Sequence, residues 1–244
     1  VADDEVLLRE GLVGLLEQRG YDVVGQAGYG SELIRIVREH QPDLAIVDIR
    51  MPPTHTTEGL DAASAIREEF PETAILIDEA YHDYVTDPSY QTAVDIALST
   101  PNVFVTRTFS KAYGMAGLRA GYAIGHAPTV KAIQAFKMPY GLGTLVLGGA
   151  IVGFGNQAYI DGERKRNTDV KAFTVKAFEE LGCKATASEG NFIFVDIGRP
   201  AREFRDACAN QWVSVGRDFP PFEHSHVRVS IGTMAEMQRA TTVF

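Results

Sequence analysis

Residues 73–81 read TAILIDEAY and residues 103–114 read VFVTRTFSKAYG. Each stretch begins with a short apolar run, which is typical of a strand buried on both faces of a parallel sheet. The first run ends at Asp78 and the second at Thr106, and polar residues follow both. The carboxyl ends of neighbouring parallel strands meet at one edge of a sheet, and ligands bind there. These stretches therefore predict an α/β fold and the place of its functional site.

Segments on both sides of these stretches alternate between helix and strand. Apolar residues at helical spacing predict helices near residues 8–16, 33–37, 60–70 and 91–98. Short apolar runs predict strands at Tyr21–Ala27, Leu44–Val47, Thr73–Ile77, Val103–Thr106 and Gly121–Ile124. Strands that alternate with helices imply a mostly parallel, doubly wound sheet with helices on both faces.

The pattern changes after about residue 128. A helical stretch from Pro128 to Leu181 is broken at Met138–Gly143, and later segments predict strands at Phe192–Val195, Val213–Val215 and Val227–Ile231 and a helix at Ala201–Asn210. We expect a connecting helix and a small C-terminal α+β lobe. Our domain hypothesis makes residues 1–77 and 78–135 the two halves of one α/β domain, and residues 136–244 the connecting helix and lobe.

The composition is that of a soluble globular protein, with 45% apolar and 23% charged residues. Two cysteines are too few for a disulfide framework or a thiolate metal site, so we expect a reducing, cytoplasmic setting. The formal net charge of −9 and the lack of a basic cluster argue against a nucleic-acid partner.

Membrane targeting is not expected. The N-terminus is not typical of a signal peptide. The longest apolar run, Leu142–Phe154, has 13 residues, short of the roughly 20 that span a bilayer. We therefore expect a buried helix there and no membrane partner.

The charged residues are distributed unevenly along the chain. Residues 1–77 contain 15 acidic and 6 basic residues, a net charge of −9, whereas residues 78–244 contain 17 of each. All seven lysines follow residue 110. This boundary indicates two parts of different character.

Three acidic residues of the first part follow predicted strand ends. Asp3 and Asp4 lie near the N-terminus, and Asp48 ends a later strand that precedes Met51-Pro52-Pro53. Carboxylates that converge at strand ends form a hard-cation site of the Mg²⁺ type. One of these carboxylates can also accept a phosphoryl group.

On these motifs, residues 1–77 resemble the receiver domain of bacterial response regulators, a flavodoxin-like fold. The resemblance implies that Asp3 and Asp4 bind Mg²⁺ and that Asp48 accepts the phosphoryl group. Asp78 stands where that family has Ser or Thr, and its charge would repel a phosphoaspartate. The alternative is an inherited acidic cluster that binds divalent cations weakly.

The second part carries a residue set that suits pyridoxal phosphate. Lys111 offers an amine for an imine with the cofactor aldehyde. The Asp78 carboxylate can keep the pyridine nitrogen protonated, and the Tyr81 phenol can bond the ring hydroxyl. Hydroxyls and a guanidinium that can bind the phosphate are supplied by Thr108, Ser110 and Arg119.

From Asp78 to near the C-terminus, the chain resembles fold-type I aminotransferases, closest to the histidinol-phosphate aminotransferase group. The resemblance implies that Lys111 moves the substrate proton. It also implies that Lys111, Asp78, Tyr81 and the three phosphate-binding candidates contact the cofactor in the ways just described. Lobe motifs at residues 188–192 and 227–232 imply that an anionic small-molecule substrate is bound by Asn191, Arg217 and Arg228. Arg228 is the stronger candidate because its guanidinium can form a bidentate fork, and Arg217 is the weaker one.

The resemblance to aminotransferases does not include the family's N-terminal part, which contains the glycine-rich turn that holds the cofactor phosphate. Asp3-Asp4-Glu5 stands in that place, and three carboxylates would oppose a phosphate dianion, although a helix N-terminus favours one.

Three hypotheses remain. The first is a pyridoxal-phosphate protein of aminotransferase type with weak or no turnover. The second is a structural chimera without physiological activity, a recombination of two α/β folds within the strand Thr73–Ile77 that was made by de novo design or by a sequence accident. The third is a phosphoacceptor receiver module. An unfilled sheet edge before Asp3 would also favour a homodimer.

Overall fold

The computed structural model describes residues 1–4, 6–49, 51, 57–137, 141–217 and 222–244. The helices are α1 (Val6–Gln18), α2 (Gly30–His40), α3 (Glu58–Glu69), α4 (Val94–Ser99), α5 (Ala127–Gln134), α6 (Thr144–Phe154), α7 (Gln157–Glu180), α8 (Ala201–Asn210) and α9 (Met234–Thr241). The strands are β1 (Leu44–Asp48), β2 (Ala74–Asp78), β3 (Val103–Thr108), β4 (Gly121–Gly125), β5 (Lys184–Ala185), β6 (Phe192–Asp196) and β7 (His226–Ser230).

The chain divides into two compact units. Unit 1 contains Val1–His82 and Asp87–Phe154, and unit 2 contains Asp83–Thr86 and Gly155–Phe244. Among the residues described above, no helix is both long and apolar enough to cross a membrane.

Unit 1 contains a mostly parallel sheet, as predicted, with the strand order β1-β2-β3-β4. The first three strands are parallel, and Asp48, Asp78 and Thr106 are neighbours in register at their carboxyl ends. The fourth strand departs from the expected parallel arrangement and runs antiparallel to β3. The connection between them, residues 109–120, contains only a single 3₁₀ turn, Ala116–Leu118, and not the helix that usually carries the chain back for a parallel pairing.

The core of unit 1 forms where β1–β3 meet the helices that pack on them. The buried strand side chains include Val47, Ile75, Ile77, Val103 and Val105, and the helices α2 and α3 add Leu33, Val37, Ala63 and Ile66. Gly59, near the start of α3, is required for close packing, since a Cβ atom there would lie 1.8 Å from the Asp48 carbonyl oxygen. The end of β1 is thereby held against α3.

The N-terminal residues lie between β1 and residues 25–27. The Ala2 amide donates to the Ile46 carbonyl at 2.8 Å, and Ala2 also forms a parallel bridge with Ala27. The strand predicted at Tyr21–Ala27 is wrong for most of its length, because residues 21–24 have no ladder partner in the described part of the chain.

The apolar run Leu142–Phe154 forms the helix α6, but the prediction that this helix is buried is wrong. It packs on unit 1 through one side only, where Gly153 lies against Tyr113 and Met115. Its other side exposes large apolar side chains, with Leu145 90% exposed. Part of the predicted break at Met138–Gly143 lies outside the described residues, and a second break separates α6 from α7.

Unit 2 contains a small antiparallel sheet with the order β5-β6-β7. Its core includes Val170, Phe178, Ile193, Val195, Phe204 and Val229. The predicted helix Ala201–Asn210 is confirmed. The strand predicted at Val213–Val215 is wrong: Val213 and Val215 pack their side chains on the core without joining a ladder.

Trp212 occupies a strained position directly after α8. Its backbone is left-handed, with φ of +61°, and its side chain is 96% exposed. A left-handed conformation costs a residue with a Cβ atom about 1–2 kcal/mol, whereas glycine adopts it freely at an entropic cost of about 0.5–1 kcal/mol.

We expect Trp212→Gly to raise the free energy of unfolding by about 0.5–1 kcal/mol, because it removes this strain and breaks no buried contact. Urea unfolding followed by circular dichroism measures the change, since Trp212 is the only tryptophan. Trp212→Ala keeps the Cβ atom and should give no gain. Equal stabilities of the glycine and alanine variants would contradict this explanation.

Candidate functional site

Asp78 lies at the carboxyl end of β2, as the sequence predicts. Its Oδ1 atom accepts hydrogen bonds from the Thr106 hydroxyl at 3.2 Å and from the Ala80 amide at 3.1 Å. One side of the carboxylate is open to solvent, but the surrounding protein removes enough water to raise the pKa of Asp78 above its usual range. Thr106, Ala80 and the positive charge of Lys111 partly offset that rise in pKa. The site therefore contains a carboxylate that a cationic partner would stabilise.

Lys111 lies in the loop after β3, beside Tyr81. Its Nζ atom is 4.8 Å from the centroid of the Tyr81 ring. The loop is anchored by Phe109, whose amide donates to the Ala120 carbonyl at 3.0 Å and whose buried ring packs on Tyr113 at 4.9 Å. The amine is consequently presented from a fixed loop at the same sheet edge as Asp78.

Two hydroxyls and a guanidinium cluster at the base of this loop. The Ser110 amide donates to the Thr108 hydroxyl oxygen at 3.0 Å, and Nη1 of Arg119 lies 3.4 Å from the Ser110 hydroxyl oxygen. The same Nη1 donates to the Ala116 carbonyl at 3.0 Å, and the Arg119 backbone is left-handed. The structure brings the three predicted residues together, with a positive charge beside hydrogen-bond donors, and their phosphate-binding role stays a prediction.

The sequence interpretation missed a buried ion pair next to these residues. Glu79 follows Asp78 and has a fully buried side chain, and Arg107 follows Thr106. The guanidinium of Arg107 donates to Oε2 of Glu79 at 2.9 Å from Nε and at 2.7 Å from Nη2. The sequence did contain a signal for this pair, because Glu79 and Arg107 each follow a residue at a predicted strand end. A buried charge requires a partner, so a glutamate and an arginine in such matching places can be expected to pair.

The predicted acidic cluster also assembles. One ligand atom from each of Asp3, Asp4 and Asp48 lies within 4.8 Å of the others. Asp48 opposes Asp78 in the neighbouring strand, so this cluster and the Lys111 region share one sheet edge. Mg²⁺ binding and phosphoryl transfer to Asp48 stay predictions, and Glu5, Pro52 and Pro53 lie outside the described residues.

The predicted substrate residues lie in unit 2. Arg228 is in β7, with its guanidinium carbon 3.9 Å from the centroid of the Phe192 ring. The Asn191 carbonyl accepts a hydrogen bond from the Ile231 amide at 2.8 Å, next to the β6–β7 pairing. Arg217 is exposed in the segment before β7. The structure thus brings Asn191 close to the strand that carries Arg228, and their substrate roles stay predictions.

Two family models match the chain. The response regulator receiver domain matches residues 1–96, and the aminotransferase class I and II model matches residues 56–244. The second match includes 189 of the 244 residues, and the chain therefore belongs to the aminotransferase class I and II family. The matches overlap over residues 56–96, which contain β2 and Asp78.

The curated relatives of this chain include aminotransferases. Histidinol-phosphate aminotransferase 2 of Methylococcus capsulatus is 33% identical over 215 residues, which cover 86% of this chain and 57% of that protein. The aromatic amino acid aminotransferase of Mycolicibacterium paratuberculosis is 35% identical over 210 residues, which cover 84% of this chain and 54% of that protein. The chain spans little more than half the length of these relatives.

Solved structures show the same fold. A proposed histidinol-phosphate aminotransferase from Erwinia carotovora atroseptica has a TM-score of 0.79 at 27% identity, covering 87% of this chain and 62% of that chain. The histidinol-phosphate aminotransferase from Sinorhizobium meliloti, in complex with pyridoxal-5'-phosphate, has a TM-score of 0.74 at 22% identity and covers 87% and 59%. Since residues 78–244 number only 167, these matches extend well before Asp78 into the part that resembles a receiver domain.

We expect Asp78→Asn to stabilise the protein near neutral pH. Burial raises the pKa of Asp78 in the folded state, so ionisation of its carboxyl group opposes folding. The gain should be a few degrees in Tm at most, because the carboxylate keeps part of its solvent contact. It should vanish as the pH falls below the pKa of Asp78, where the wild-type carboxyl group is protonated.

Thermal unfolding of both proteins over a series of pH values measures this difference. Asp22→Asn, at an exposed position outside the site, is the matched control and should leave Tm unchanged. A lower Tm for Asp78→Asn at neutral pH would show that the Asp78 carboxylate stabilises the fold instead.

Proposed function

We propose that the chain is a pyridoxal-phosphate-binding protein of aminotransferase type, with the cofactor at the carboxyl ends of β2 and β3. The observation that carries this proposal is the placement of a lysine amine and a carboxylate at one sheet edge, beside two hydroxyls and a guanidinium. Membership of the family supports it.

The residues present suit the ring of the cofactor. When bound, the cofactor supplies an electron-withdrawing ring that stabilises negative charge at the substrate carbon. The Asp78 carboxylate would keep the pyridine nitrogen protonated, and that positive charge would offset the effect of burial on Asp78. The Tyr81 hydroxyl would bond the ring oxygen. Lys111 would attach the cofactor through Nζ, and the same atom would hold the proton taken from the substrate.

The phosphate side is less favourable. Thr108, Ser110 and Arg119 would bind the phosphate at the base of the β3 loop. The Asp3, Asp4 and Asp48 cluster lies at the same sheet edge and would repel a dianion, which lowers affinity. We therefore expect weak cofactor retention and little or no turnover.

The substrate we propose is a small amine with an anionic group. Arg228, with Asn191 nearby and Arg217 as a weaker candidate, would bind a carboxylate or a phosphate. The names of the relatives, which include histidinol-phosphate and aromatic amino acid aminotransferases, agree with such a substrate class.

The test is a visible absorbance band on addition of pyridoxal phosphate, which indicates a covalent bond to a lysine. We expect the wild-type protein to show the band and Lys111→Ala to lose it, because Lys111 supplies the reacting amine. Lys176→Ala, at an exposed position of α7, is the matched control and should keep the band. No wild-type band at millimolar cofactor would contradict the proposal.

We also propose that the chain forms a homodimer through α5, α6 and the described residues next to them, 135–137 and 141–143. Large apolar side chains are exposed there: Ile133, Phe136, Leu142, Leu145, Leu147, Ile151, Val152 and Phe154. At on the order of 100 Å² each, they approach the roughly 800 Å² per partner that a stable interface buries. No acidic residue occurs between residues 127 and 160, so two copies with a net charge of −9 can meet there without contact between carboxylates.

We expect Leu145→Glu to shift the protein from dimer to monomer, because it places a charge in the centre of this apolar surface. Sedimentation velocity over a range of protein concentrations measures the shift. Leu15→Glu changes an exposed leucine of α1 and should leave the dimer intact. A wild-type protein that is monomeric at every concentration would rule out the interface.

A further inference from the structure

The buried Glu79–Arg107 pair has more bonds than a pair that only satisfies two charges. Besides the two Arg107 bonds, the Glu79 carboxylate accepts from the Thr92 hydroxyl at 2.8 Å and from the Ala93 amide at 2.7 Å. Nη2 of Arg107 also donates to the Thr92 hydroxyl oxygen at 2.8 Å. The end of β2, the end of β3 and the start of α4 therefore converge on one carboxylate.

The pair lies on the other side of the strand ends from the candidate site. Asp78 and Thr106 oppose each other in register and bond on the site side. Their successors, Glu79 and Arg107, bond on the opposite side, because successive side chains of a strand alternate. The Glu79 amide also donates to the Thr106 carbonyl at 2.9 Å. The two strand ends are thus joined on both faces.

Stability alone does not explain a buried pair of charges. Desolvation of two ions is costly, and replacing such a pair with apolar residues of similar volume is often neutral or stabilising. An apolar pair, however, imposes no direction on the backbone, whereas a bidentate guanidinium–carboxylate pair does. The feature that Glu79 and Arg107 share is that each adjoins a site residue.

We propose that Glu79 and Arg107 are a positioning pair that sets the place of Asp78 relative to the Thr106–Lys111 segment before any cofactor binds. The pair touches neither cofactor nor substrate. It acts through the peptide bonds that join Glu79 to Asp78 and Arg107 to Thr106. The proposal rests on the proposed function in one respect, which is why Asp78 needs to be held in this place. Whether the pair holds Asp78 there can be tested in the unliganded protein.

The decisive variant is Glu79→Leu with Arg107→Met, which keeps the buried volume and removes the directional bonds. The matched control makes the same changes in the exposed bidentate pair, Glu69→Leu with Arg38→Met. Cooperative thermal unfolding establishes that each variant folds. Arg107→Lys is measured beside the buried double variant and serves in its place if the double variant does not fold, because lysine keeps a positive charge next to Glu79 and loses the bidentate geometry.

The first measurement is the ¹³C NMR titration of the Asp78 carboxyl group without cofactor. We expect its pKa, raised in the wild type, to shift toward the usual range of aspartate in the buried double variant and in Arg107→Lys. The double variant also loses the charge of Glu79, which contributes to the rise. Arg107→Lys keeps that charge, so its shift reports only the water that a displaced carboxylate regains. The exposed-pair control should titrate like the wild type.

The second measurement is the dissociation constant for pyridoxal phosphate, which we expect to increase at least 10-fold in the buried double variant and to stay unchanged in the control. A folded Arg107→Lys variant with the wild-type Asp78 titration would overturn the positioning role, whatever its cofactor affinity. Failure of the wild type to bind cofactor would remove the proposed function, and the NMR titration would still decide whether the pair positions Asp78.

Discussion

The parallel pairing of β2 with β3 is the constraint on which the candidate site depends. Because Ile77 opposes Val105 and Asp78 opposes Thr106, the carboxylate and the Lys111 loop leave the sheet at the same edge. Side chains alternate along a strand, so a shift of one residue would turn Asp78 to the opposite face. The apolar runs of both strands disfavour that shift by requiring burial, and Glu79 and Arg107 join the strand ends on the far side.

One sheet here carries the features of two families. The overlap of the receiver and aminotransferase matches contains β2, and a parallel strand followed by a helix is compatible with either fold because both use the same right-handed crossover. The functional side chains at the ends of β1 and β3, by contrast, belong to one family match or the other. Asp48 lies only in the receiver match and Lys111 only in the aminotransferase match, and β1 and β3 place them two strands apart. The electrostatic conflict between the acidic cluster and the proposed phosphate site follows from their placement at one sheet edge.

Much of the fold could be predicted from short-range patterns. The segments that form β1, β2 and β3 are continuous apolar runs. The sequence pattern of Ala201–Asn210 predicts a helix with the bounds that α8 has in the structure. The helix α9 was missed although Thr233 and Glu236 form a capping box at its start, a signal that is visible in the sequence. Two segments with strand-like composition, Tyr21–Val24 and Val213–Val215, do not form strands. Composition does not determine whether a neighbouring strand is there to form hydrogen bonds with them. Apolar Leu142–Phe154 was expected to be buried, yet only one side of α6 has a surface to pack on.

The sequence by itself determined most of the helices and strands, among them β1, β2, β3 and α8, and the polar residues that follow each buried strand. It also determined the charge boundary near residue 77. These depend on local spacing and on the intrinsic preferences of each segment. Only the tertiary structure decided the antiparallel direction of β4, the exposure of α6 and the pairing of Glu79 with Arg107, 28 residues further along the chain. The reason is physical: each depends on which distant surfaces meet, and desolvation and hydrogen bonding between distant residues act only once the sheet has assembled.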